Sequence, residues 1–301
     1  MDFHKIKIWI RAIRPFAFSA SLIPVLIAAA LVFWHGKDVN WFLFPIIVLG
    51  AVFFHAGTNV VSEHFDFRKG VDKSYTFGSS RVLVEGLIEP KEVLTGGYIL
   101  FAVGFLLGLV LFFIRGWPVL ALSIIALLGG IFYSATPIGY KYIGFGDIMV
   151  FLLMGPLMVA GTYFTLAGNV TLEIIYVSLP IGFLVTAILN ANNIRDIKYD
   201  RLARVKTMGT ILGDTLSRLE YLSLVVAAYA TVAVMIYLKF LPLWSLIVFL
   251  TLSIAVKNIK IALNRREDIS INIVSLDVKT AQLHLLFGLL LFISIILAKF
   301  I

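Results

Sequence analysis

The sequence of 301 residues contains no cysteine, and only 14% of its residues are charged. Without cysteine, the chain has no disulfide, no thiolate metal ligand and no cysteine nucleophile. A soluble domain carries roughly 25% charged residues, so the low charge, combined with 60% hydrophobic residues, excludes a water-soluble globule. The same hydrophobic content excludes a disordered chain. The composition therefore predicts a membrane protein.

The net charge of +8 does not indicate a nucleic-acid-binding protein. That function needs a basic face on a folded soluble domain. The lysines and arginines of this chain instead lie between apolar runs. We therefore expect no nucleic-acid partner, and we attribute the positive charge to membrane topology.

Apolar runs long enough to cross a hydrocarbon core of about 30 Å recur along the whole chain. They predict an all-α membrane protein with nine transmembrane helices, near residues 15–35, 41–61, 96–114, 118–135, 146–168, 172–192, 219–238, 241–256 and 281–300. The first run is not expected to be a removable signal peptide, because it is long and has no obvious small-residue cleavage site. Residues 1–301 are expected to form a single domain.

The distribution of basic residues predicts the orientation of these helices. With nine spans, 21 of the 25 lysines and arginines fall in segments that face the same side as the N-terminus. Cytoplasmic segments are enriched in lysine and arginine, so we expect a cytoplasmic N-terminus. The protein is predicted to be a multi-pass protein of the lipid bilayer, located in the cell membrane if its source is prokaryotic.

Ten of the 17 acidic residues lie in two segments, 62–95 and 193–220. These segments follow the second and the sixth predicted helix, so both open on the same face of the membrane. Acidic side chains at the ends of two helices on one face can lie close together. The two segments are therefore candidates for one shared site.

The first acidic segment continues the second predicted helix as a polar stripe. Spacings of three and four residues place the following side chains on one face: Asn59, Ser62, Glu63 and Asp66. Gly70 permits a turn that would bring Asp72 back toward the same point.

The second acidic segment has the same character. Asn192, Asp196 and Asp200 follow one another at positions i, i+4 and i+8, and Asn193 lies one step aside. Carboxylates at this spacing repel one another, and a divalent cation would offset the repulsion. Mg²⁺ is typically held by one or two carboxylates together with substrate phosphates, so the two stripes predict a metal-bridged diphosphate. The alternative is two solvated helix ends whose acids pair with nearby cations, namely Arg68, Lys69, Arg195 or Arg201.

A transporter or channel is an alternative of another class, because polar residues within membranes often mark ion paths. It would place acidic residues near the bilayer midplane and break helices in both halves of the chain. The acidic residues of this sequence cluster at one face instead.

Several segments resemble the UbiA superfamily of intramembrane prenyltransferases, and most closely its MenA-like branch, which prenylates 1,4-dihydroxy-2-naphthoate in menaquinone synthesis. The second acidic motif is the most specific of them, because its pattern NNxRDxxxD precedes a Lys-Thr pair. The segments are RPFAFSASLIPV (14–25), NVVSEHFDFRKGVD (59–72), SSRVLVEGLI (79–88), IGFGDIMVFLLMGPL (143–157) and NNIRDIKYDRLARVKTM (192–208).

The resemblance implies nine helices around a central cavity and a Mg²⁺-dependent transfer of a prenyl group from an isoprenyl diphosphate to an aromatic acceptor. Asp66 and Asp72 would be metal ligands of the first motif, and Asp196 and Asp200 those of the second. Asn192 and Asn193 would be polar residues of the cavity wall.

The first motif departs from the branch at two positions. This chain has Ser62 where the branch usually has asparagine, and Glu63 where it often has aspartate. The first metal site, which would include Glu63, is therefore expected to be weaker, completed by water, or assisted by Asn59.

The resemblance also suggests residues that bind the substrates. Basic residues that could hold the diphosphate are Lys73, Arg81, Lys141, Arg195 and Lys206, of which Arg81 and Lys206 stand where the family has basic residues. Aromatic residues in segments resembling cavity walls are Phe16, Phe18, Tyr133 and Tyr140. Positive-inside topology explains the cations equally well, and lipid contact or packing within the bundle explains the rings. His55 and His64 receive no catalytic role.

The acceptor is predicted to be 1,4-dihydroxy-2-naphthoate, because the first motif has five residues between Asp66 and Asp72 and ends in GVD, as in the MenA-like branch. Acceptors left open are 4-hydroxybenzoate, homogentisate and a glycerol phosphate lipid precursor. The length of the prenyl chain is not predicted.

Overall fold

A computed structural model describes residues 3–78, 80–264 and 271–301. Within these ranges the chain forms α-helices, together with 3₁₀-helical segments at Pro15–Phe18, Tyr140–Tyr142 and Leu243–Thr251, a π-helical segment at Leu153–Leu157, and loops, and it contains no β-strand. The helices are α1 (Phe3–Ile13), α2 (Ser19–Trp34), α3 (Leu43–Lys69), α4 (Pro90–Arg115), α5 (Trp117–Phe132), α6 (Gly146–Leu152), α7 (Met158–Ala167), α8 (Leu172–Leu202), α9 (Met208–Tyr237), α10 (Leu252–Leu263), α11 (Ile271–Val274) and α12 (Leu276–Leu297).

Eight helical segments among the described residues are long and apolar enough to cross a membrane. They correspond to eight of the nine predicted runs, and the protein is therefore an integral, multi-pass membrane protein. The segments are Pro15–Trp34, Leu43–Lys69, Pro90–Arg115, Gly146–Ala167, Leu172–Leu202, Met208–Tyr237, Leu243–Leu263 and Leu276–Leu297. The remaining run corresponds to α5, an apolar helix of 16 residues.

Three helices extend well beyond the apolar runs that predicted them. The run 41–61 continues to Lys69 in α3, and the run 172–192 continues to Leu202 in α8. The run 219–238 begins earlier, at Met208 in α9. An apolar run marks only the part of a helix in contact with lipid or core, whereas the backbone hydrogen bonds continue through the polar stripes. The acidic residues of both motifs therefore lie on helices and at their ends.

The N-terminal helix α1 was not predicted, because it is short and amphipathic. Its residues Trp9 and Ile13 pack against a small apolar cluster that includes Val60 of α3. Arg11 also forms an ion pair with Glu85, with 2.7 Å between Nη2 and Oε1. The N-terminal segment therefore lies at the same end of the bundle as the loop that follows α3.

The opposite end of the bundle is defined by contacts between other helix termini. Lys299 donates a hydrogen bond to the carbonyl oxygen of Trp34, which joins the ends of α12 and α2. Arg115 donates to the carbonyl oxygens of Thr165 and Leu166, which joins the ends of α4 and α7. The ends of α3 and α8, which carry the acidic motifs, are separated from this end by the length of the helices.

The main apolar core lies between α2, α7, α8, α9 and α12. Gly155, in the π-helical segment Leu153–Leu157 between α6 and α7, lies against Gly182 of α8 so closely that a Cβ atom at Gly155 would overlap the Gly182 backbone. This contact lets the two segments cross at short range. The packing leaves an internal cavity on the side of α8 that faces α3.

Candidate active site

A cavity of about 300 Å³ lies between α2, α3, α5, α8 and the segment formed by α6 and α7. Its wall combines the polar residues of the two acidic motifs with a set of apolar side chains, and it also includes the polar residues Ser21, His55 and Thr58. Polar residues of the wall include Asn59, Ser62, Asp66, Asp72, Tyr133, Tyr140, Lys141, Asn192, Asn193, Arg195, Asp196, Asp200 and Asp277. Apolar residues include Phe16, Phe54, Leu153, Met154, Leu157, Met158, Val185 and Leu189. The cavity therefore offers a charged region and a hydrocarbon-like region side by side.

The first acidic motif is closed by a turn at the end of α3. Gly70 has a φ of 70°, in the left-handed region that favours glycine. The amides of Val71 and Asp72 then both donate to the carbonyl oxygen of Asp66, at 2.9 and 3.3 Å. This turn brings the buried Asp72 back to the cavity beside Asp66, as the sequence predicted.

Asp66 is surrounded by hydrogen-bond donors. Lys141 Nζ lies 2.8 Å from Oδ1 and 2.6 Å from Oδ2. The Tyr142 hydroxyl donates to Oδ1 at 2.8 Å, and the Ser62 hydroxyl donates to Oδ2 at 2.9 Å. Burial opposes the charge of Lys141, but the charge of Asp66, the hydrogen bond that it accepts from Lys141, and the neighbouring Tyr133 and Asp72 together outweigh burial and raise the pKa of Lys141 above its usual value. Lys141 is therefore held in its charged form beside Asp66.

Asp72 differs from Asp66 because one of its oxygens lacks a partner. Its Oδ2 atom is buried and has no hydrogen bond to any described residue. Burial, followed by the charge of Asp66, raises the pKa of Asp72 to about 7. A buried carboxylate oxygen without a donor is destabilising. A cation at this position would satisfy the oxygen and restore the usual pKa.

The second acidic motif reaches the cavity from α8. Asp196 accepts two hydrogen bonds from the neighbouring Arg195, with Nε at 2.9 Å and Nη2 at 2.6 Å. Asp200 accepts from the hydroxyl of Thr207 at 2.9 Å, and Thr207 caps the start of α9. Carboxylates of both motifs therefore line one cavity, although more than 120 residues separate Asp72 from Asp196 along the chain.

The two asparagines at the start of the second motif have different partners. Asn192 accepts from Arg195 Nη2 at 2.7 Å. Asn193 donates through Nδ2 to both oxygens of Asp147, at 3.1 and 2.9 Å. Asp147 is buried in the first turn of α6. Asn193 lines the cavity, and its side-chain amide is held in place by Asp147 of α6.

Four predicted site residues do not line the cavity. Lys73 and Lys206 are exposed, and Arg81 donates to Glu85 and to two loop carbonyls. Glu63 is fully buried outside the cavity wall, although its partner Arg14 lines the cavity.

Glu63 has two partners of its own. It accepts from Arg14 Nη2 at 2.5 Å and from the Ser80 amide at 3.0 Å. Its side chain therefore joins α3 to the segment before α2 and to the loop after α3. This position is that of a structural ion pair, whereas the metal role remains a prediction.

Three of the four predicted aromatic residues line the cavity, and one does not. Tyr133 and Tyr140 both line the cavity, with ring centroids 5.5 Å apart and planes at 75°. The Tyr140 hydroxyl donates to the Gly129 carbonyl at 2.7 Å. Phe16 also lines the cavity, whereas Phe18 lies outside its wall and packs its ring against His55.

Sequence reasoning missed Arg14, Tyr142, Asp147, Thr207 and Asp277, all of which hold or neighbour predicted site residues. The signal available was the polar character of Asp147 and Thr207 within the segments that resembled the family. Of the four cations proposed to neutralise the acidic stripes, Arg195 alone forms an ion pair among the described residues.

The carboxylates do not form a metal cage by themselves. Among the described residues, no group of three or more histidine, aspartate or glutamate side chains is close enough to bind a metal ion. The orphaned oxygen of Asp72 and the acceptor-only carboxylates nevertheless suit a hard cation such as Mg²⁺, which is commonly completed by water and substrate phosphates.

Comparison with known proteins assigns this arrangement to a family. Residues 21–276 match the UbiA prenyltransferase family, a span that contains both acidic motifs and most of the cavity wall. The chain belongs to the UbiA prenyltransferase family. It is therefore a prenyltransferase. The family resemblance inferred from the sequence motifs is confirmed, and the protein is an enzyme rather than a transporter.

Relatives match over most of their own length. UbiA prenyltransferase domain-containing protein 1 of Xenopus tropicalis is 30% identical, and the match covers 98% of this chain and 83% of the relative. The 1,4-dihydroxy-2-naphthoate octaprenyltransferase of Bacillus subtilis is 26% identical over 95% of this chain and 91% of the relative.

The fold is also similar to a solved structure. A UbiA homologue from Archaeoglobus fulgidus bound to DMAPP and Mg²⁺ superposes with a TM-score of 0.63, at 17% identity, over 94% of this chain and 98% of that chain. Both chains therefore have the UbiA fold.

The position of Glu63 yields a prediction that separates a structural role from a metal-binding role. Removing one partner of a buried ion pair typically costs about 3–5 kcal/mol, so we expect Glu63→Gln to lower the unfolding temperature of the detergent-solubilised protein. The Mg²⁺ concentration that gives half-maximal transfer should stay unchanged. The matched control is Glu85→Gln, whose exposed pair with Arg11 is worth about 0–1 kcal/mol. An increase in the Mg²⁺ concentration that gives half-maximal transfer, without a fall in the unfolding temperature, would instead assign Glu63 to the metal.

Proposed function

We propose that the protein transfers a prenyl group from an isoprenyl diphosphate to an aromatic acceptor within the membrane, with Mg²⁺ as its cofactor. The observation that carries the proposal is that Asp66, Asp72, Asp196 and Asp200 line the same cavity as a set of apolar side chains. An isoprenyl diphosphate has the same division between a charged head and a hydrocarbon chain. The Mg²⁺-bound relative of known structure and the family membership support this assignment.

The four aspartates would hold the metal ions. Asp72 contributes a buried oxygen without a donor, and Asp66 and Asp196 already lie beside the cations Lys141 and Arg195. Bound Mg²⁺ would stabilise the negative charge that develops on the departing diphosphate. Asn59, Ser62, Asn192 and Asn193 would complete the polar wall around these carboxylates.

Lys141 is the basic residue best placed to bind the diphosphate. Its ammonium group lines the cavity between Asp66 and the rings of Tyr133 and Tyr142. An ammonium group has three donor hydrogens, and it can donate to a diphosphate oxygen while it remains beside Asp66. The predicted roles of Lys73, Arg81 and Lys206 in diphosphate binding require these side chains to reach the cavity from the loops around it.

The loop after α3 packs against the helix of the second motif. Tyr75 and Phe77 pack their rings against Tyr199 of α8, with centroids 5.9 and 6.1 Å from the centroid of that ring. The loop therefore joins the two acidic motifs, and it would help to exclude water from the polar region between them. Exclusion of water matters here because an allylic cation formed from the substrate would otherwise react with it.

The apolar wall would bind the hydrocarbon chain. Phe54 of α3 and both Leu153 and Met158 of the segment formed by α6 and α7 line the same space. The ring of Tyr133 also lines the cavity, with its centroid 5.6 Å from Lys141 Nζ, and its face would stabilise positive charge on the substrate carbon. The acceptor ring would attack that carbon and release a proton, while the diphosphate leaves with the bonding electrons.

The proposed acceptor is 1,4-dihydroxy-2-naphthoate, which would place the enzyme in menaquinone biosynthesis. The spacing of the first motif and the named activity of the Bacillus subtilis relative support this choice. Other UbiA-type acceptors, namely 4-hydroxybenzoate, homogentisate and a glycerol phosphate lipid precursor, form the alternative.

The transfer reaction tests this proposal. Membranes containing the protein should transfer a labelled prenyl group to dihydroxynaphthoate only when Mg²⁺ is present. Asp66→Ala and Asp196→Ala should each reduce the rate about a hundredfold or more, because each removes a carboxylate that would hold the Mg²⁺ ion stabilising the leaving group. Glu92→Ala is the control, since Glu92 is an exposed acid in the same segment. Unchanged transfer by both aspartate variants would refute the metal-diphosphate site, and transfer only to another acceptor would refute the acceptor.

We also propose that residues 1–301 form one domain with nine spans and a cytoplasmic N-terminus, located in the cell membrane if the source is prokaryotic. Helix α5 supports the ninth span. It begins beside Arg115, at the end of the bundle where α4 meets α7, and it leads to Lys141, at the end where Asp66 lies. Its 16 residues cover about 24 Å at 1.5 Å per residue, which approaches the thickness of the hydrocarbon core.

Cysteine labelling tests the proposed topology, because the chain has no cysteine of its own. Lys37 and Lys91 are exposed and lie on opposite sides in the nine-span arrangement. A membrane-impermeant maleimide added to intact bacterial cells should label Lys37→Cys and spare Lys91→Cys until the cells are opened. Labelling of Lys91→Cys alone in intact cells would reverse the orientation, and labelling of both would contradict the span count.

A further inference from the structure

The guanidinium group of Arg195 joins the second acidic motif to the last helix. It donates to Asp196 at 2.9 and 2.6 Å, to Asn192 at 2.7 Å and, through Nη1, to Asp277 Oδ2 at 2.8 Å. The Arg195 side chain is only 5% exposed. Two carboxylates from distant parts of the chain therefore share one buried cation at the cavity wall.

Asp277 is well anchored on its own side of this contact. It lies in the first turn of α12, where a carboxylate is favoured by the helix dipole. Its Oδ1 atom accepts from the Val278 amide at 2.8 Å, while Oδ2 accepts from Arg195. Asp277 also lines the cavity, although it follows the last residue of the family match.

The loop after α3 confines the same guanidinium group from a third side. Gly78 has a φ of 89°, and a Cβ atom at this position would overlap Nη2 of Arg195. The guanidinium therefore lies between the loop of the first motif, the helix of the second motif and the start of α12. Its freedom to move is limited to the space between Asp196 and Asp277.

Arg195 and a metal ion would compete for Asp196. Both oxygens of Asp196 accept hydrogen bonds from Arg195, and a cation bound to those oxygens would repel the guanidinium charge. Asp277 offers the guanidinium a second carboxylate on the side away from Asp196. A metal ion could then bind Asp196 without leaving a buried arginine unpaired, which would be strongly unfavourable.

We infer that Asp277 is a positioning residue, which retains Arg195 beside the second acidic motif and draws its charge away from Asp196 when a divalent cation binds. The inference rests on the proposed function. It assigns to the last helix a part in metal binding without making Asp277 a metal ligand.

Variants of Asp277 test this role in the full-length, detergent-solubilised protein. The first readout is the rise in unfolding temperature as Mg²⁺ is added in the presence of geranyl diphosphate. The value compared between variants is the Mg²⁺ concentration that gives half of the maximal rise. The second is the Mg²⁺ dependence of transfer. Loss of a residue that orients a metal ligand typically costs 10–100-fold in metal affinity, so Asp277→Asn should raise both half-saturation concentrations about tenfold. Because Asp196 itself is intact, kcat at saturating Mg²⁺ should change little, and Asp277→Glu should restore the wild-type values.

Asp214→Asn is the control, because Asp214 also forms an ion pair with a buried arginine, Arg218, although this pair lies within one helix, has a more exposed carboxylate and stands away from the cavity wall. It should leave both half-saturation concentrations unchanged. An Asp277→Asn protein that loses stability without Mg²⁺ yet keeps the wild-type half-saturation values would overturn the inference, because Asp277 would then be only structural. A wild-type protein that Mg²⁺ and geranyl diphosphate do not stabilise would overturn the proposed function and this inference with it.

Discussion

Mutual repulsion among carboxylates at one cavity is the constraint around which this end of the bundle is organised. Four aspartates face the same space at the edge of an apolar medium, where unpaired charge is strongly unfavourable. Lys141 balances Asp66, Arg195 is divided between Asp196 and Asp277, and hydroxyl groups complete the remaining contacts. Asp72 keeps an oxygen without a donor. The balance of charge among these side chains is therefore nearly complete, and the proposed divalent cation would complete it.

The long helices make this arrangement possible. Because α3 and α8 continue beyond their apolar runs, their carboxylates lie on rigid backbone rather than on loops. The turn at Gly70 then returns Asp72 to the same cavity. Rigid placement matters because the geometry required for group transfer tolerates only small displacements. The apolar wall beneath the carboxylates belongs to the same helices, so the head and the tail of the substrate are positioned by one scaffold.

Local periodicity explains which features the sequence predicted. The stripe from Asn59 to Asp66, the turn before Asp72 and the stripe from Asn192 to Asp200 all follow from spacings within a few residues. Apolar runs in the same way predicted the eight long segments, but not the polar ends of α3, α8 and α9 or the amphipathic α1.

Contacts between distant parts of the chain were not predictable by the same means. Arg14 meets Glu63 across 49 positions, Asp147 meets Asn193 across 46, and Arg195 meets Asp277 across 82. No spacing rule connects such pairs. Glu63 shows the consequence, since its place on the acidic stripe did not reveal its ion pair with Arg14.

The central claim is that both acidic motifs hold divalent cations around one diphosphate. Anomalous scattering from Mn²⁺, in crystals of the protein grown with geranyl diphosphate, tests it most directly. We expect Mn²⁺ peaks within coordination distance of carboxylates from both motifs, with the diphosphate between them and the hydrocarbon chain against the wall formed by Leu153 and Met158. Mn²⁺ bound to one motif alone, or a diphosphate located away from both, would contradict the account.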